Sequence, residues 1–262
     1  MKFRVRAFGL HLLFSLTVLA LVLGGLYLGW YRWPGWYLCN ALRVTPILAG
    51  VDVALGPLLT LLIASPRKAR RALARDIAII VSVQLAALVY GATTLWNGRP
   101  LYYAFSEDRL QLVQASDINA REAVLAASQN PEFAPHWYSR PRWVWVPLPE
   151  PQGDSEAIIR STLFGGDDVI QMPRYFKAWE QGLPRLRERL QTLDQQRDIR
   201  IRMNRALLGQ SMAGRGLAPD APTTMIMTGR GDPLLAVFDR DTLKIRAWLR
   251  TAKPAPGGRP AK

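Results

Sequence analysis

The residue best placed to do chemistry is Asp52, which sits in the apolar run Gly50-Val-Asp-Val-Ala-Leu-Gly-Pro57. A carboxylate at mid-bilayer depth costs at least about 2.5–3.5 kcal/mol, so it must face protein or water. Gln84 lies at similar depth in the next apolar run. Two readings stay open. Asp52 pairs with Gln84 inside a helix bundle, or it meets a polar group on a partner's membrane helix. Both hold if the pair opens to admit a guest. Gly50, Gly56 and Pro57 mark a stretch where that helix can be approached closely or can bend. Pro57 has no N–H, and together with Gly56 it should free a backbone carbonyl near residue 53, beside Asp52.

Other chemistries are excluded by residue type. An intramembrane aspartyl protease needs two opposed aspartates, one as base and one protonated. Asp52 is the sole aspartate within the apolar runs. Serine hydrolysis lacks a G-x-S-x-G turn, and His136 is an isolated base between Pro135 and Pro141. One cysteine, Cys39, permits no intramolecular disulfide, CxxC pair or cysteine-based zinc site. His11 and His136 are the only histidines, which excludes a His-rich metal site. Gly165-Gly-Asp-Asp168 reads as a turn rather than a cation site. The expectation is a chain with no catalytic residues, no metal and no cofactor.

The elements that must position Asp52 are three apolar segments, about 8–30, 44–64 and 77–96. Each is long enough to cross a hydrocarbon core of about 30 Å, which takes about 20 helical residues. The first is not a cleaved signal peptide. Its run is too long, and it is followed by Trp30, Tyr31, Trp33, Trp36 and Tyr37 instead of a small-residue cleavage site. Such rings anchor a helix at headgroup level.

Orientation follows from basic residues in short loops. Lys2, Arg4 and Arg6 precede the first segment. Arg67, Lys68, Arg70, Arg71 and Arg75 separate the second from the third, whereas Arg32 and Arg43 are the only basic residues between the first and second. Basic loops stay in the cytoplasm. The N-terminus and second loop are therefore expected inside, with everything after the third segment outside.

Charge divides the chain at the same place. Residues 1–96 hold 10 Lys/Arg and 2 Asp/Glu, and residues 97–262 hold 24 and 18. Of the net charge of +14, 8 charges thus sit around the apolar runs and 6 are spread among acids over the rest, which fits membrane topology and argues against nucleic acid as a partner.

Residues 98–252 read as a small α+β domain, large enough for its own core. Leu101–Phe105 and Leu110–Gln114 form a hairpin. Ser116 or Asp117 caps a helix reaching Gln129, with Pro131 ending it. Arg142–Pro147 is a strand, Asp154–Phe164 a helix, and Pro184 to about Leu208 one helix or two. Thr223–Thr228, Leu234–Asp239 and Leu243–Leu249 are strands, the last two joined through Arg240-Asp-Thr242. Trp137, Trp143, Trp145 and Trp179 either pack the core or line a contact surface. The tail 253–262 is Pro/Gly-rich and reads as disordered. The fold class is therefore a three-helix transmembrane bundle, residues 1–97, followed by an α+β extracytoplasmic domain.

Four stretches resemble the TfpX/TfpZ family of type IV pilin accessory proteins. They are Arg6-Ala-Phe-Gly-Leu-His11, Gly50-Val-Asp-Val-Ala-Leu-Gly-Pro-Leu-Leu-Thr60, the run from Asp76 to Gly91 containing Gln84-Leu-Ala-Ala-Leu88, and Arg99-Pro100. The match covers mainly the first 120 residues. The resemblance implies a multi-pass bacterial inner-membrane chaperone or modulator for the type IV major pilin, promoting pilus assembly without catalysis. It carries over Gly50, Asp52, Gly56, Pro57, Asp76, Gln84, Arg99 and Pro100 as candidate partner-binding or bundle-polar residues. Two other readings compete. One is an extracytoplasmic ligand receptor lacking its own output domain. The other is a membrane transferase acting on pilin, against which stands the lack of an acid/base pair or metal cluster.

Overall fold

The computed structural model describes residues 2–65, 68–107, 109–147 and 168–251. The expected helix at 154–164, most of the expected turn at 165–168 and the tail 253–262 lie outside the described residues. The chain forms two compact units. The first comprises residues up to Trp36 and Asn40–Arg99; the second comprises Tyr37–Cys39 and the chain from Pro100 onward.

The first unit holds three helices long and apolar enough to cross a membrane: α1 (Lys2–Tyr31), α2 (Ala41–Ile63) and α3 (Arg70–Asn97). Buried residues make up 28% of the apolar window of α2, against 17% for α1 and α3. The remaining surface is apolar and faces outward, with Leu10, Leu21, Ile47, Leu62 and Tyr90 among the most exposed side chains. That is the reverse of a water-soluble bundle and fits a lipid solvent.

Contacts between the helices are tight and local. Leu19, Leu48 and Leu88 form one buried cluster. At one end of the bundle Tyr31 donates to the Leu95 carbonyl at 2.6 Å, and Trp30 meets Trp96 edge-on at 4.8 Å. These aromatic ends tie α1 to α3 at the level where rings favour a membrane interface.

The second unit is built on one seven-stranded mixed sheet, in the order β4-β3-β1-β2-β5-β6-β7. The strands are β1 (Pro100–Ser106), β2 (Arg109–Gln114), β3 (Arg142–Trp145), β4 (Lys177–Ala178), β5 (Thr224–Thr228), β6 (Leu234–Phe238) and β7 (Ile245–Arg250). β1 and β2 form the expected hairpin, with Phe105 opposite Leu110. Each then takes a parallel neighbour, β3 beside β1 and β5 beside β2.

Side-chain alternation divides the core between the two faces of the sheet. Tyr103, Phe105, Leu110, Leu112, Met225, Met227, Leu234, Ala236 and Phe238 share one cluster with Leu186 and Leu190, from and just after helix α5 (Trp179–Arg189). Tyr102, Ala104, Val113 and Val144 point to the other face and pack with Phe133, Ile170 and Phe176. Farther along that face, Leu235, Val237 and Leu249 pack against Ile201, Leu208 and Met212. β1 is thus buried on both sides, which accounts for the uninterrupted run Leu-Tyr-Tyr-Ala-Phe105.

The helices of this unit are α4 (Ala120–Gln129), α5 (Trp179–Arg189), α6 (Ile199–Met203) and α7 (Arg205–Ala213). Three expectations need correction. The cap of α4 is Asn119, whose side chain accepts from the Glu122 amide at 2.8 Å. Asp117 instead closes a tight turn by accepting from the Gln114 amide at 2.8 Å. Pro184 does not open a helix but lies within α5. The residues after α5 leave helical geometry because Gln191 exchanges backbone hydrogen bonds with Thr224, at 3.0 and 2.9 Å. A two-residue strand, β4, pairs with β3 and had no sequence signal.

The chain enters this unit twice. Leu38, from the loop between α1 and α2, is fully buried in the cluster beneath β1, β2 and α5. Its carbonyl accepts from the Gly231 amide at 2.7 Å. Any side chain at Gly229 or Gly231 would collide with the Leu38 or Tyr37 backbone, so glycine is required for this approach. Cys39 beside it is held as a thiol, with burial pushing its pKa up to about 12.

Candidate functional site

The polar groups inside the three-helix unit converge on one place. On α1, His11 and Ser15 are one turn apart; on α2, Asp52, Gly56 and Thr60 follow the same four-residue spacing. Each series therefore lies on one face of its helix. Gln84 on α3 joins them. Ser15, Asp52, Thr60 and Gln84 are all buried.

The backbone of α2 explains why Gln84 fits there. Residues Gly50–Leu55 form a π-helical turn rather than an α-helical one. The Gly56 N–H donates to the Val51 carbonyl, five residues back. In the same register the next donor would be Pro57, which has no N–H, so the Asp52 carbonyl is left free. Gln84 Nε2 fills that vacancy, donating to the Asp52 carbonyl at 3.0 Å. The orphaned carbonyl is thus at 52, not near 53, because the wide turn shifts the register by one. Gly56 makes room for the amide, since a Cβ there would overlap the Gln84 side chain.

Gln84 therefore pairs with the main chain of Asp52 rather than with its carboxylate. With Nε2 fixed, Oε1 faces His11, whose Nε2–H donates to it at 2.8 Å. His11 Nδ1 lies 2.6 Å from the Thr60 hydroxyl oxygen, within hydrogen-bond distance. The same hydroxyl lies 3.1 Å from the Gly56 carbonyl. A longer contact, 3.5 Å, links Gln84 Nε2 to Ser15 Oγ. All three helices are thus joined by side-chain hydrogen bonds at one level.

The Asp52 carboxyl group is the exception. Its Oδ2 is buried with no hydrogen-bond partner among the described residues. The group lines a cleft of about 30 Å³ with His11, Ser15, Leu19, Gln84 and Leu88. That volume holds about one water. A buried carboxyl oxygen without a donor leaves several kcal/mol of hydrogen-bonding capacity unused in a low-dielectric setting. Chemically, the site is a receptor for a hydrogen-bond donor.

The remaining sequence candidates lie elsewhere. Gly50 has open space where a Cβ would sit, so no close approach explains it. Asp76, in the third turn's worth of chain before Gln84, pairs with Lys68 at 2.8 Å and with Arg75 at 4.0 Å. Arg99 closes the end of α3, its Nη1 donating to the Trp96 carbonyl at 2.9 Å and its guanidinium lying over the Trp96 ring. Pro100 is the first residue of β1. Asp52, Gly56, Pro57 and Gln84 come together; Gly50, Asp76, Arg99 and Pro100 do not join them. His11, Ser15 and Thr60 were missed as members. The signal that could have found them was polar residues at four-residue spacing inside otherwise apolar helices.

In the second unit the four tryptophans separate. Trp143, Trp145 and Trp179 pack against the main core cluster, with Trp143 and Trp179 centred 4.8 Å apart. Trp137 is 71% exposed and meets Tyr138 edge-on at 5.6 Å. Among the described residues, no three His, Cys, Asp or Glu side chains are grouped as a metal site would require.

Comparison with known proteins adds identity. No family model and no solved structure matches the chain. The fimbrial assembly protein of Dichelobacter nodosus serogroup I is 28% identical over 218 residues, 79% of this chain and 82% of that protein. Its serogroup E1 counterpart is 25% identical over 223 residues, 80% of this chain and 84% of that protein. The fimbrial assembly protein of serogroups C1 and C2 is 32% identical over 116 residues, 44% of this chain and 88% of that protein. The chain belongs to the family of fimbrial assembly proteins.

Proposed function

We propose that this protein is a bacterial inner-membrane helper of type IV pilus assembly that binds the pilin subunit, in the manner of the TfpX/TfpZ proteins it resembles. Its role is that of a chaperone and is not catalytic. A pilin awaiting assembly is held in the membrane by one apolar helix, with its globular head outside. A helper for it needs a membrane surface and an exported domain in one chain, and three candidate spans followed by a sheet unit support that reading. Membership of the fimbrial assembly family supports the pilus context.

The observation that carries the reading is the buried Asp52 oxygen. Its neighbours Gln84, His11 and Thr60 are bonded to one another, while Oδ2 has no donor. A polar group on a guest helix supplies that donor. The exposed Trp137 and Tyr138 offer a second contact, to the pilin head, because aromatic side chains are enriched at such surfaces.

The orientation proposed is N-terminus in the cytoplasm and the sheet unit in the periplasm, following the basic loops. Residues Tyr37–Cys39 and the chain from Pro100 share one compact unit, which supports three crossings; the basic loops supply their direction.

Photocrosslinkers placed in cells at Leu85, beside the cleft, test the reading. The expected product is a crosslink to the major pilin that weakens in an Asp52→Asn variant of unchanged abundance. Repeated capture of some other protein overturns it. A fall in the abundance of Asp52→Asn would instead make Asp52 a structural residue.

A further inference from the structure

Helices α6 and α7 present an unusual outward face. Ile201, Leu208 and Met212 are buried against β6 and β7. On the opposite side Ile199, Met203 and Leu207 are 51%, 38% and 62% exposed. These three fall at four-residue intervals across a junction where helical bonding persists: the Asn204 amide donates to the Arg200 carbonyl at 3.2 Å, and the Leu208 amide to the Asn204 carbonyl at 2.9 Å. They form one apolar stripe.

Cations flank the stripe. Arg197, Arg200 and Arg202 make no ion pair among the described residues, while Arg205 is matched by Asp194 at 3.3 Å. Arg197 and Arg202 also line an open polar cleft of about 920 Å³. An exposed apolar stripe bordered by uncommitted guanidinium groups is the signature of a helix lying in a membrane interface, with side chains in the acyl boundary and cations on lipid phosphates.

We infer that the α6–α7 face of the sheet unit is a docking surface for anionic lipid headgroups, with Ile199, Met203 and Leu207 entering the bilayer interface and Arg197, Arg200 and Arg202 binding phosphate. The occupant is the membrane itself rather than a protein, because cations unpaired among the described residues border the narrow apolar strip on both sides and match the anionic charge of lipid headgroups.

The test uses the full chain in nanodiscs, with Cys39→Ser as the background and a spin label attached through Met203→Cys. Accessibility to oxygen and to a neutral water-soluble nickel chelate is compared in discs with roughly one-third phosphatidylglycerol and in all-phosphatidylcholine discs. The expected result is a severalfold drop in chelate accessibility in the anionic discs. That drop should vanish in Arg197→Gln/Arg200→Gln/Arg202→Gln, while a label at the exposed Gln129→Cys stays water-accessible throughout. All three arginines are at the surface, so native tryptophan fluorescence should be unchanged in the variant. Equal accessibility in the two lipids overturns the inference, whether the label is exposed in both or protected in both. Protection that appears only when membrane proteins are added also overturns it and assigns the face to a protein.

Discussion

The two units solve the same problem in opposite solvents. The sheet unit hides apolar side chains on both faces of β1 and keeps ion pairs such as Arg109–Asp168 and Arg230–Asp117 toward water. The three-helix unit exposes leucines such as Leu10, Leu21 and Leu62 and turns His11, Ser15, Asp52, Thr60 and Gln84 inward. In water, burial of apolar area drives association. Lipid tails are as apolar as leucine, so helices there find one another through close backbone approach and polar bonds. The difference teaches that specificity in this chain comes from shape in one unit and from hydrogen bonds in the other.

The sharpest way to break that contrast is to remove one buried leucine from the sheet unit. Leu38→Ala should destabilise that unit by about 2–5 kcal/mol, seen as an earlier tryptophan-fluorescence transition in detergent. A Leu38→Ala protein that melts with the parent would mean the cluster does not depend on the loop residue. Next in size is Gly56→Leu in the membrane unit. The added side chain collides with Gln84 and should weaken α2–α3 packing by about 1–3 kcal/mol, read as lower abundance in membranes.

Smaller still is His11→Ala. It removes a hydrogen-bonded link among all three helices, yet bonds of this kind inside membranes are worth only about 0.6–1.7 kcal/mol, so a modest shift in unfolding by a denaturing detergent is expected. A loss as large as that of Leu38→Ala would erase the distinction between the units. The least effect concerns Asp239, whose side chain accepts from the Thr242 amide at 2.9 Å and from its hydroxyl at 2.9 Å. These bonds hold its carboxyl pKa below the ordinary value. The folded pKa is then below the unfolded one. The stabilisation is full above the ordinary carboxylate pKa and fades as pH falls through the lowered value. Faster exchange of the Thr242 amide below about pH 4 checks this, with no matching change in the three-helix unit.

Reading the sequence forward worked where one signal dominates. Apolar length located the three helices to within a few residues at their aromatic ends. It missed basic ends such as Lys2–Ala7 and Arg70–Asp76, which are helical despite their charge. Alternation found β1, β2, β3, β5, β6 and β7, because a half-buried or doubly buried strand writes its period into the chain. Parallel pairing of β1 with β3 and of β2 with β5 leaves no such mark, since it depends on long crossovers. β4 is two residues long and has no period at all. At the candidate site, Asp52 and Gln84 were legible as rare polar residues at one depth. Their true link was hidden, because it runs through a main-chain carbonyl exposed by a π-turn that side-chain patterns do not encode. His11 carried no signal of its own, since a single histidine in an apolar run shows nothing of the partners that other helices bring to it.

Leu38 also bears on how the molecule is made. It lies between the first two spans, so it is synthesised and threaded long before the strands that will enclose it. The sheet unit can reach its final packing only around a plug already delivered by membrane insertion. A fragment starting at Pro100 lacks Leu38, so its cluster should be left one side chain short and the fragment should melt earlier than the full chain.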